Sequence, residues 1–378
     1  MQFIDLKAQF EAIREGVEAG IARVLDHGGY IMGPEVAELE RQLAAYVGAE
    51  HAVGCANGTD ALVLALRGLG IGQGDAVFTT PFTFFATAEA IILAGATPVF
   101  ADIDPRTFNI DPVKLEEAIV RTEGERKLSP AAVMTVDLFG LPADYEAIEA
   151  LCEKYKLALI EDAAQGFGGE LRGRRAGSFG TVATTSFFPA KPLGCYGDGG
   201  ALFTDDASLA ERLRSLRVHG KGEDKYDNVR IGTNSRLDTV QAAILIEKLA
   251  VFPKEMELRQ QVAARYAQRL PNALTAPYVP EGYLSSWAQY SVLAENGAER
   301  TRLMAELREA GVPTMIYYGK PLHLQTALAH LGHKEGDFPV SEDASSRVFS
   351  LPMSPYLTEQ DQDRVLEALH GALGSRGA

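Results

Sequence analysis

LALIEDAAQ, residues 157–165, is a short apolar run that ends on two carboxylates, the second of which is Asp162. Continuous apolar character over so few residues predicts a strand buried on both faces, as in a parallel sheet. Open parallel sheets bind their ligands beyond the carboxyl ends of the strands, which is where Asp162 lies. Because a buried carboxylate needs a partner, Asp162 is either the N-cap of a following helix or the partner of a cationic ligand group.

Strand and helix patterns alternate on both sides of this run, and most of the predicted strands are again short and apolar. Such alternation predicts the α/β class, with a mostly parallel sheet covered by helices on both faces. The other predicted strands are residues 75–81, 97–103, 131–139, 181–188 and 199–204, and the predicted helices are residues 7–26, 33–48, 60–70, 86–95, 111–120 and 144–155.

The C-terminal part of the chain has a different pattern. Residues 235–270 are predicted to be helical with a break near Pro253, and they lead away from the sheet. We therefore predict a large domain, residues 1–250, and a smaller α+β domain, residues 251–378. The strands predicted in the smaller domain are residues 287–294 and 312–318, and the helices are residues 299–311 and 359–373.

Composition limits the classes of function. The 378 residues are 46% hydrophobic with a net charge of −15, which argues against binding to nucleic acid or to an anionic membrane surface. No apolar run reaches membrane-spanning length, and the N-terminus lacks the pattern of a signal peptide. The three cysteines form no C-x-x-C motif, so we expect no disulfide framework, no metal site and a cytoplasmic location.

A second stretch, SFFPAKPLGCYGDGGALF at residues 186–203, holds Lys191 between Pro189 and Pro192. Prolines restrict the backbone and prevent a helix, so this loop presents its lysine stiffly. Lys191 is either an ordinary solvated lysine or an amine kept in place for covalent chemistry. The nearby Cys195 has no histidine beside it in sequence, and we interpret it as a small residue that fills a turn.

Two further motifs offer groups for a flat, anionic ligand. In CANGTDALVLAL, Gly58 allows a tight turn and Thr59 supplies a hydroxyl where a helix begins, which is typical of a phosphate site. Simple N-capping by Thr59 or Asp60 is the alternative, and Ser186 can add a phosphate donor. In PFTFFATA, residues 81–88, an aromatic ring either fills the core or stacks on the flat ligand.

A lysine, a buried aspartate, a phosphate site and an aromatic ring together suit pyridoxal 5′-phosphate (PLP), whose aldehyde bonds an amine and whose ring nitrogen needs an acidic partner. The motifs NGTDAL, FTFFATA, IEDAAQ, TSFFPAKPLG and GTNSRLDTVQAA resemble, in that order, the DegT/DnrJ/EryC1/StrS family of sugar aminotransferases. The resemblance extends from FIDLKAQ to VFSLPMSPYL, nearly the whole chain. It implies the aspartate aminotransferase-like PLP fold type I, with a large, mostly parallel-sheet domain and a smaller α+β C-terminal domain.

The resemblance also implies roles for individual residues. Lys191 is the catalytic residue that bonds PLP, Asp162 pairs with the ring nitrogen, and Phe84 stacks on the ring. Gln165 bonds the 3-hydroxyl group of the ring. The phosphate contacts are Thr59, the backbone N–H of Asp60, Ser186 and, from the neighbouring subunit, Asn234.

Within the family, FIDLKAQ, YIMGPEVAELE and SFFPAKPLGCYGDGGA are most similar to the subgroup that acts on UDP-2-acetamido-2-deoxy-3-keto-glucuronic acid. Such enzymes take the amino group from L-glutamate and serve surface polysaccharide synthesis, such as that of the O-antigen of lipopolysaccharide. The resemblance implies a homodimer with shared active sites, in which Arg236 of one subunit contacts the sugar bound by the other. Tyr317 and Tyr318, where similar enzymes often have histidine-tyrosine, are substrate-side candidates, as are His219 and His323.

Three alternatives remain open. The chain could aminate another nucleotide sugar, such as a 4-keto-6-deoxyhexose. It could be a PLP-dependent sugar dehydratase, although the dehydratases of this family carry histidine in place of Lys191. It could also be a non-catalytic sensor of this fold, which the intact Lys191 and Asp162 argue against.

Overall fold

The structure is a computed structural model, and it describes residues 1–224 and 226–374. Its helices are α1 (Leu6–His27), α2 (Pro34–Val47), α3 (Gly58–Gly68), α4 (Ala86–Leu93), α5 (Pro112–Glu125), α6 (Tyr145–Tyr155), α7 (Ala207–Leu216), α8 (Thr239–Arg269), α9 (Gly297–Glu309), α10 (Pro339–Arg347) and α11 (Glu359–Gly374). Its strands are β1 (His51–Cys55), β2 (Asp75–Thr79), β3 (Thr97–Phe100), β4 (Ser129–Val136), β5 (Ala158–Asp162), β6 (Glu170–Leu171), β7 (Arg174–Arg175), β8 (Val182–Ser186), β9 (Gly200–Thr204), β10 (Tyr283–Leu284), β11 (Tyr290–Leu293) and β12 (Val348–Leu351). None of the helices in these residues is both long and apolar enough to cross a membrane.

A seven-stranded sheet forms the centre of the molecule, in the order β1-β9-β8-β5-β4-β2-β3. The pairs from β8 through β5, β4 and β2 to β3 are all parallel, whereas β9 runs antiparallel to both β1 and β8. The stretch LALIED is β5 at the middle of this sheet, and Asp162 is its last residue. The predicted α/β class with a mostly parallel sheet is therefore confirmed.

Helices cover both faces of the sheet, as the continuous apolar strands require. One face packs on α3 and α7 through a core that includes Leu64 and Leu213. The opposite face packs on α5 and α6 through a core that includes Ile119 and Ile148. A further core, around Phe167 and Phe203, is covered by α2 and the first half of α8.

Pro253 does not break the long helix, so this part of the prediction is wrong. α8 is one 31-residue helix with Pro253 inside it. The proline is exposed, while its neighbours Phe252 and Met256 are buried against the core. Because packing on the buried side holds both halves of the helix, the hydrogen bond that proline cannot donate does not end it.

A second core lies around the two-stranded sheet of β11 and β12, against α9, α11 and the last turns of α8. The strand predicted at residues 312–318 is absent, and only an isolated bridge joins Met315 to Ser350. Pro313 cannot donate to a sheet, and Ile316, Tyr317 and Tyr318 instead pack toward Phe82 and its neighbours on the main sheet. The division at residue 250 remains a prediction; it falls inside α8, which packs on both cores.

Candidate active site

Asp162 ends β5 between two parallel neighbours, pairing with Val136 of β4 and Thr184 of β8. It is only 8% exposed, and its Oδ1 accepts the backbone N–H of Ala164 at 3.1 Å. The residues after it form turns rather than a helix, so the N-cap interpretation is wrong. Burial raises the pKa of Asp162, while the Ala164 N–H and the positive charge of Lys191 oppose that shift. A cationic group is therefore the partner that this carboxylate favours.

Lys191 lies close enough to Asp162 for their charges to interact. Its backbone N–H donates to the carbonyl oxygen of Phe188 at 2.8 Å, which closes the turn between the two prolines. Burial lowers the pKa of Lys191, and the charge of Asp162 only partly opposes this. A lower pKa leaves more of the amine neutral at physiological pH, which is the form that attacks an aldehyde or accepts a proton.

The predicted phosphate motifs are brought together at the N-terminus of α3. A Cβ added to Gly58 would lie 2.6 Å from the Cβ of Ser186, so only glycine permits this approach. The first N–H groups of a helix have no acceptor within it and carry a positive partial charge, which suits a phosphate. Asn57 is the N-cap: its side chain accepts the N–H of Asp60 at 2.8 Å. The backbone N–H of Asp60, which was predicted to bind the phosphate, therefore donates to the Asn57 side chain in this structure.

Gln165 and Phe84 both lie next to Tyr318, which is near Asp162. Gln165 is buried; its Oε1 accepts the backbone N–H of Phe139 at 2.9 Å and its Nε2 donates to the Tyr318 hydroxyl at 3.3 Å. Phe84 is 54% exposed, and its ring centroid lies 6.1 Å from that of Tyr318. Burial, followed by the charge of Asp162, raises the pKa of Tyr318, so its hydroxyl stays protonated. Tyr318 therefore lies close enough to the carboxylate to feel its charge, and Phe84 lies beside Tyr318.

Asn234, predicted to contact the phosphate, and the substrate candidates His219 and Arg236 lie between α7 and α8. Asn234 and His219 are exposed, and Arg236 is half-buried without an ion pair to any described residue. The loop is tied to the phosphate motif by the hydroxyl of Ser235, which accepts the backbone N–H of Ala56 at 3.2 Å. Arg236 thus has its charge available for an anion.

His323 is far less accessible than a substrate contact requires. It is 1% exposed; its Nε2 lies 3.0 Å from Oε1 of Glu342, and its ring packs on Phe338. This environment favours a structural role in holding α10. Its proposed contact with substrate remains a prediction that this position does not support.

Sequence analysis missed several residues that hold the site. Arg217 is buried and donates to Glu40 at 2.5 Å and to the carbonyl oxygen of Gly54 at 2.7 Å, which fixes the start of the loop against β1. Asp137 follows β4 just as Asp162 ends β5, and its backbone N–H donates to the Asp162 carbonyl oxygen at 3.1 Å. The signal was present in AAVMTVDLF, another apolar run that ends on a carboxylate.

PLP fits the residues that the structure brings together. The N-terminus of α3 and Ser186 lie close together at Gly58, and both can donate hydrogen bonds to a phosphate. Lys191, whose pKa is lowered, lies near the buried carboxylate of Asp162, as the chemistry of PLP requires. A seven-stranded sheet with one reversed strand carries all of these at one edge. This fold and site define a PLP-dependent aminotransferase of fold type I.

Comparison with known proteins narrows the class. Residues 11–370 match the model of the DegT/DnrJ/EryC1/StrS aminotransferase family, and the chain belongs to this family. It is 49% identical over 359 residues to the UDP-2-acetamido-2-deoxy-3-oxo-D-glucuronate aminotransferase of Pseudomonas aeruginosa, covering 94% of this chain and 96% of that protein. The predicted family and enzyme class are confirmed.

Solved structures agree with the fold in detail. A DegT DnrJ EryC1 StrS aminotransferase from Brucella abortus superposes with a TM-score of 0.96 at 53% identity, with full coverage of both chains. DesV of S. venezuelae, solved in complex with a ketimine intermediate, gives a TM-score of 0.93 at 40% identity and 98% coverage of each chain. A Bacillus subtilis neighbour at 30% identity, with a TM-score of 0.87 over 96% of this chain and 82% of that one, was solved with the cofactor PMP bound. The cofactor predicted from the lysine and aspartate motifs is confirmed as PLP.

Proposed function

We propose that this enzyme transfers the amino group of L-glutamate to the keto carbon of a nucleotide-linked ketosugar, UDP-2-acetamido-2-deoxy-3-keto-glucuronic acid. The observation that carries the proposal is 49% identity, along 94% of the chain, to an aminotransferase named for that sugar. Lys191 beside the buried Asp162 supports transamination rather than dehydration or sensing. The product would serve surface polysaccharide synthesis in the cytoplasm.

The reaction needs an electron sink, which bound PLP supplies to the carbon that loses its proton. Asp162 would stabilise a positive charge at the ring nitrogen, because a buried carboxylate favours a cationic partner. Lys191 Nζ would accept the proton from Cα of glutamate and pass it to the cofactor in the first half-reaction, and would return a proton from the cofactor to the sugar carbon in the second. Gly58, Thr59 and Ser186 would hold the phosphate at the start of α3, while Gln165 and Phe84 would orient the ring.

The substrate side would be completed by a second copy of the chain. Arg236 carries a positive charge on the loop before α8, and the proposed sugar carries a carboxylate and a diphosphate. The same loop exposes Ile231 at 91%, and Phe188 beside the lysine turn is 53% exposed. Large exposed apolar side chains beside a site indicate an interface. A homodimer in which Asn234 and Arg236 reach the neighbouring site accounts for both features, with Tyr317 and Tyr318 lining the sugar pocket.

The substrate assignment is tested by separating the two half-reactions. The purified enzyme is first treated with glutamate alone, and 2-oxoglutarate should appear in an amount equal to the bound cofactor. After removal of glutamate, nucleotide ketosugars are added one at a time, and the proposed UDP-3-keto-glucuronic acid should restore the original visible absorbance fastest. Lys191→Ala, loaded with PLP, is the control and should show neither step. If a dTDP-4-keto-6-deoxyhexose restores the absorbance and the UDP sugar does not, the substrate proposal is wrong.

A further inference from the structure

Two carboxyl groups, Asp137 and Glu161, lie directly behind the Asp162 site. Both are 0% exposed. Glu161 precedes Asp162 in β5, and Asp137 is the residue after Val136, which pairs with Asp162. Within residues 1–224 and 226–374, neither carboxyl forms an ion pair with a cationic side chain. Burying an ionised carboxylate without a cationic partner costs free energy, so the protonation state of these two acids has to be explained.

Glu161 is held on both oxygens. Its Oε1 accepts the backbone N–H of Gly177 at 2.7 Å, and its Oε2 accepts that of Phe179 at 2.8 Å. Burial, and then the charge of Asp137, raise the pKa of Glu161 well above its usual value. The two N–H groups fix the orientation of this carboxyl but do not offset its burial.

Asp137 has one satisfied and one unsatisfied oxygen. Its Oδ1 accepts the Tyr145 hydroxyl at 2.7 Å and the backbone N–H of Ala143 at 3.0 Å. Its Oδ2 is buried and has no hydrogen-bond donor in the described part of the chain if both acids are ionised. Burial raises the pKa of Asp137 too, but these two donors oppose the shift.

The two side chains lie on the same face of neighbouring strands, because Glu161 pairs with Thr135 and Asp137 follows two residues later. Each acid also shifts the pKa of the other. Two carboxylates can only accept, so a hydrogen bond between them needs a proton on one of them. The donors to Asp137 stabilise its ionised form, which leaves Glu161 as the acid that keeps the proton. A proton on Glu161 also gives Oδ2 of Asp137 the donor that it lacks.

We propose that Glu161 is a neutral carboxylic acid that donates to Asp137, and that this singly charged pair is a positioning element for Asp162 and Gln165. Asp137 donates its backbone N–H to Asp162, and two residues later the N–H of Phe139 donates to Gln165. A Cβ on Gly166 would overlap the Asp137 side chain, so Asp137 packs directly against the residue that follows Gln165. This inference rests on the cofactor roles proposed above.

The pair also limits the negative charge beside Asp162. A second charge there would raise the pKa of Asp162 and weaken its hold on a cation. The titratable groups that face the pair are Tyr145 of α6, Asp162 of β5 and, near Asp137, Tyr283 of β10. None of these is a cation, so among the described residues none replaces the neutralising role of the Glu161 proton.

The proton has a consequence for stability. The pKa of Glu161 is raised in the folded protein above its value of about 4 in the unfolded chain. The unfolded chain thus releases this proton at lower pH than the folded protein does. The stability that the group contributes is therefore present at low pH and is lost as pH rises from about 4 through the raised pKa.

Infrared spectroscopy of the full-length protein detects the proton directly as the difference between the spectra of the wild type and a variant. Each protein is measured both with and without PLP. At neutral pH the C=O stretch of a buried carboxylic acid should be present in the wild type and absent in Glu161→Gln. The matched control is Glu123→Gln, an exposed glutamate of α5, which should keep the band. Absence of the band in the wild type, or its persistence in Glu161→Gln, would overturn the inference without affecting the proposed reaction.

A second measurement separates positioning from packing. Glu161→Gln is neutral at every pH and keeps a hydrogen-bond donor. Because the wild type loses its proton as the pH rises, the turnover of the variant relative to wild type should rise with pH. The urea midpoint of the variant should also lack the decline above about pH 4 that is expected for the wild type. Parallel pH profiles for the two proteins would contradict the role. If Glu161→Gln does not fold, Asp137→Asn is used instead. The new amide can donate to Glu161, which then ionises, so the infrared band should again disappear. Persistence of the band in Asp137→Asn would refute the shared proton.

Discussion

The cofactor side and the substrate side of the candidate site are built differently. On the cofactor side, Asp162 and Ser186 end two strands of one sheet, Gly58 begins α3, and Lys191 lies in the turn after β8. These residues are held by contacts within one chain. On the substrate side, Arg236 lies on a loop outside the sheet, and Ile231 of the same loop is almost fully exposed. The cofactor, which is common to the family, can be bound by rigid elements of one chain. The residues proposed to select the sugar lie instead on a loop that a second chain can complete.

The largest effect is expected on the cofactor side, from Asp162→Ala. The phosphate contacts remain, so PLP should still bind, but the charge that stabilises the ring nitrogen is lost. We expect turnover to fall roughly 10²–10³-fold, as when one preorganised electrostatic group is removed. Steady-state kinetics and cofactor titration measure the two effects separately, and Asp162→Glu, which keeps the charge, is the control. Near wild-type turnover of PLP-loaded Asp162→Ala would show that the carboxylate is only structural.

A smaller effect is expected from Gly58→Ala, which tests whether the phosphate side depends on close packing. The added Cβ would lie 2.6 Å from the Cβ of Ser186, and relieving such overlap costs about 1–3 kcal/mol. PLP affinity should fall roughly 10–100-fold, with little change in turnover once the cofactor is bound. Gly124→Ala is the matched control, since a Cβ at that position meets no atom within 4 Å. Equal PLP affinities of the two variants would count against the phosphate site.

The smallest effect concerns the substrate side and is the sharpest test of the comparison. Arg236→Ala should raise KM for the sugar about tenfold or more, as expected for loss of one charge-assisted hydrogen bond, and should leave the glutamate half-reaction intact. Lys191→Ala and Arg236→Ala proteins are then unfolded together and refolded as a mixture. If the sites are shared, roughly half of the dimers are hybrids with one intact site, and wild-type-like sugar kinetics should return to about a quarter of the wild-type level. A mixture that forms dimers but regains none of that activity would place both residues in one chain's site.

The sequence predicts the central sheet and the cofactor residues well, for a physical reason. β2, β4 and β5 are buried on both faces, so they are continuously apolar, and Asp162 stands out as a carboxylate at the end of one of them. β1, with the sequence HAVGC, was missed because a five-residue strand that contains glycine gives a weak pattern.

The remaining differences depend on contacts between distant parts of the chain. Burial of Phe252 and Met256 keeps α8 continuous through Pro253, and no local pattern reveals it. His323 looks like a substrate ligand in sequence, yet Glu342, 19 residues later, pairs with it in the interior. The pairing of Asp137 with Glu161 likewise appears only when two strands lie side by side.

The reversed strand β9 has a consequence for synthesis of the protein on the ribosome. β1 has one neighbour in the sheet, β9, and the pairing joins His51 to Thr204. At 5–20 residues per second, β1 and the start of α3 wait on the order of ten seconds for this partner to emerge. During that interval the apolar strand has a free edge, so the nascent chain is exposed to mispairing until residue 204 has emerged from the ribosome. Slow codons shortly before this point would prolong that exposure, and slow codons after it would allow the sheet to close first.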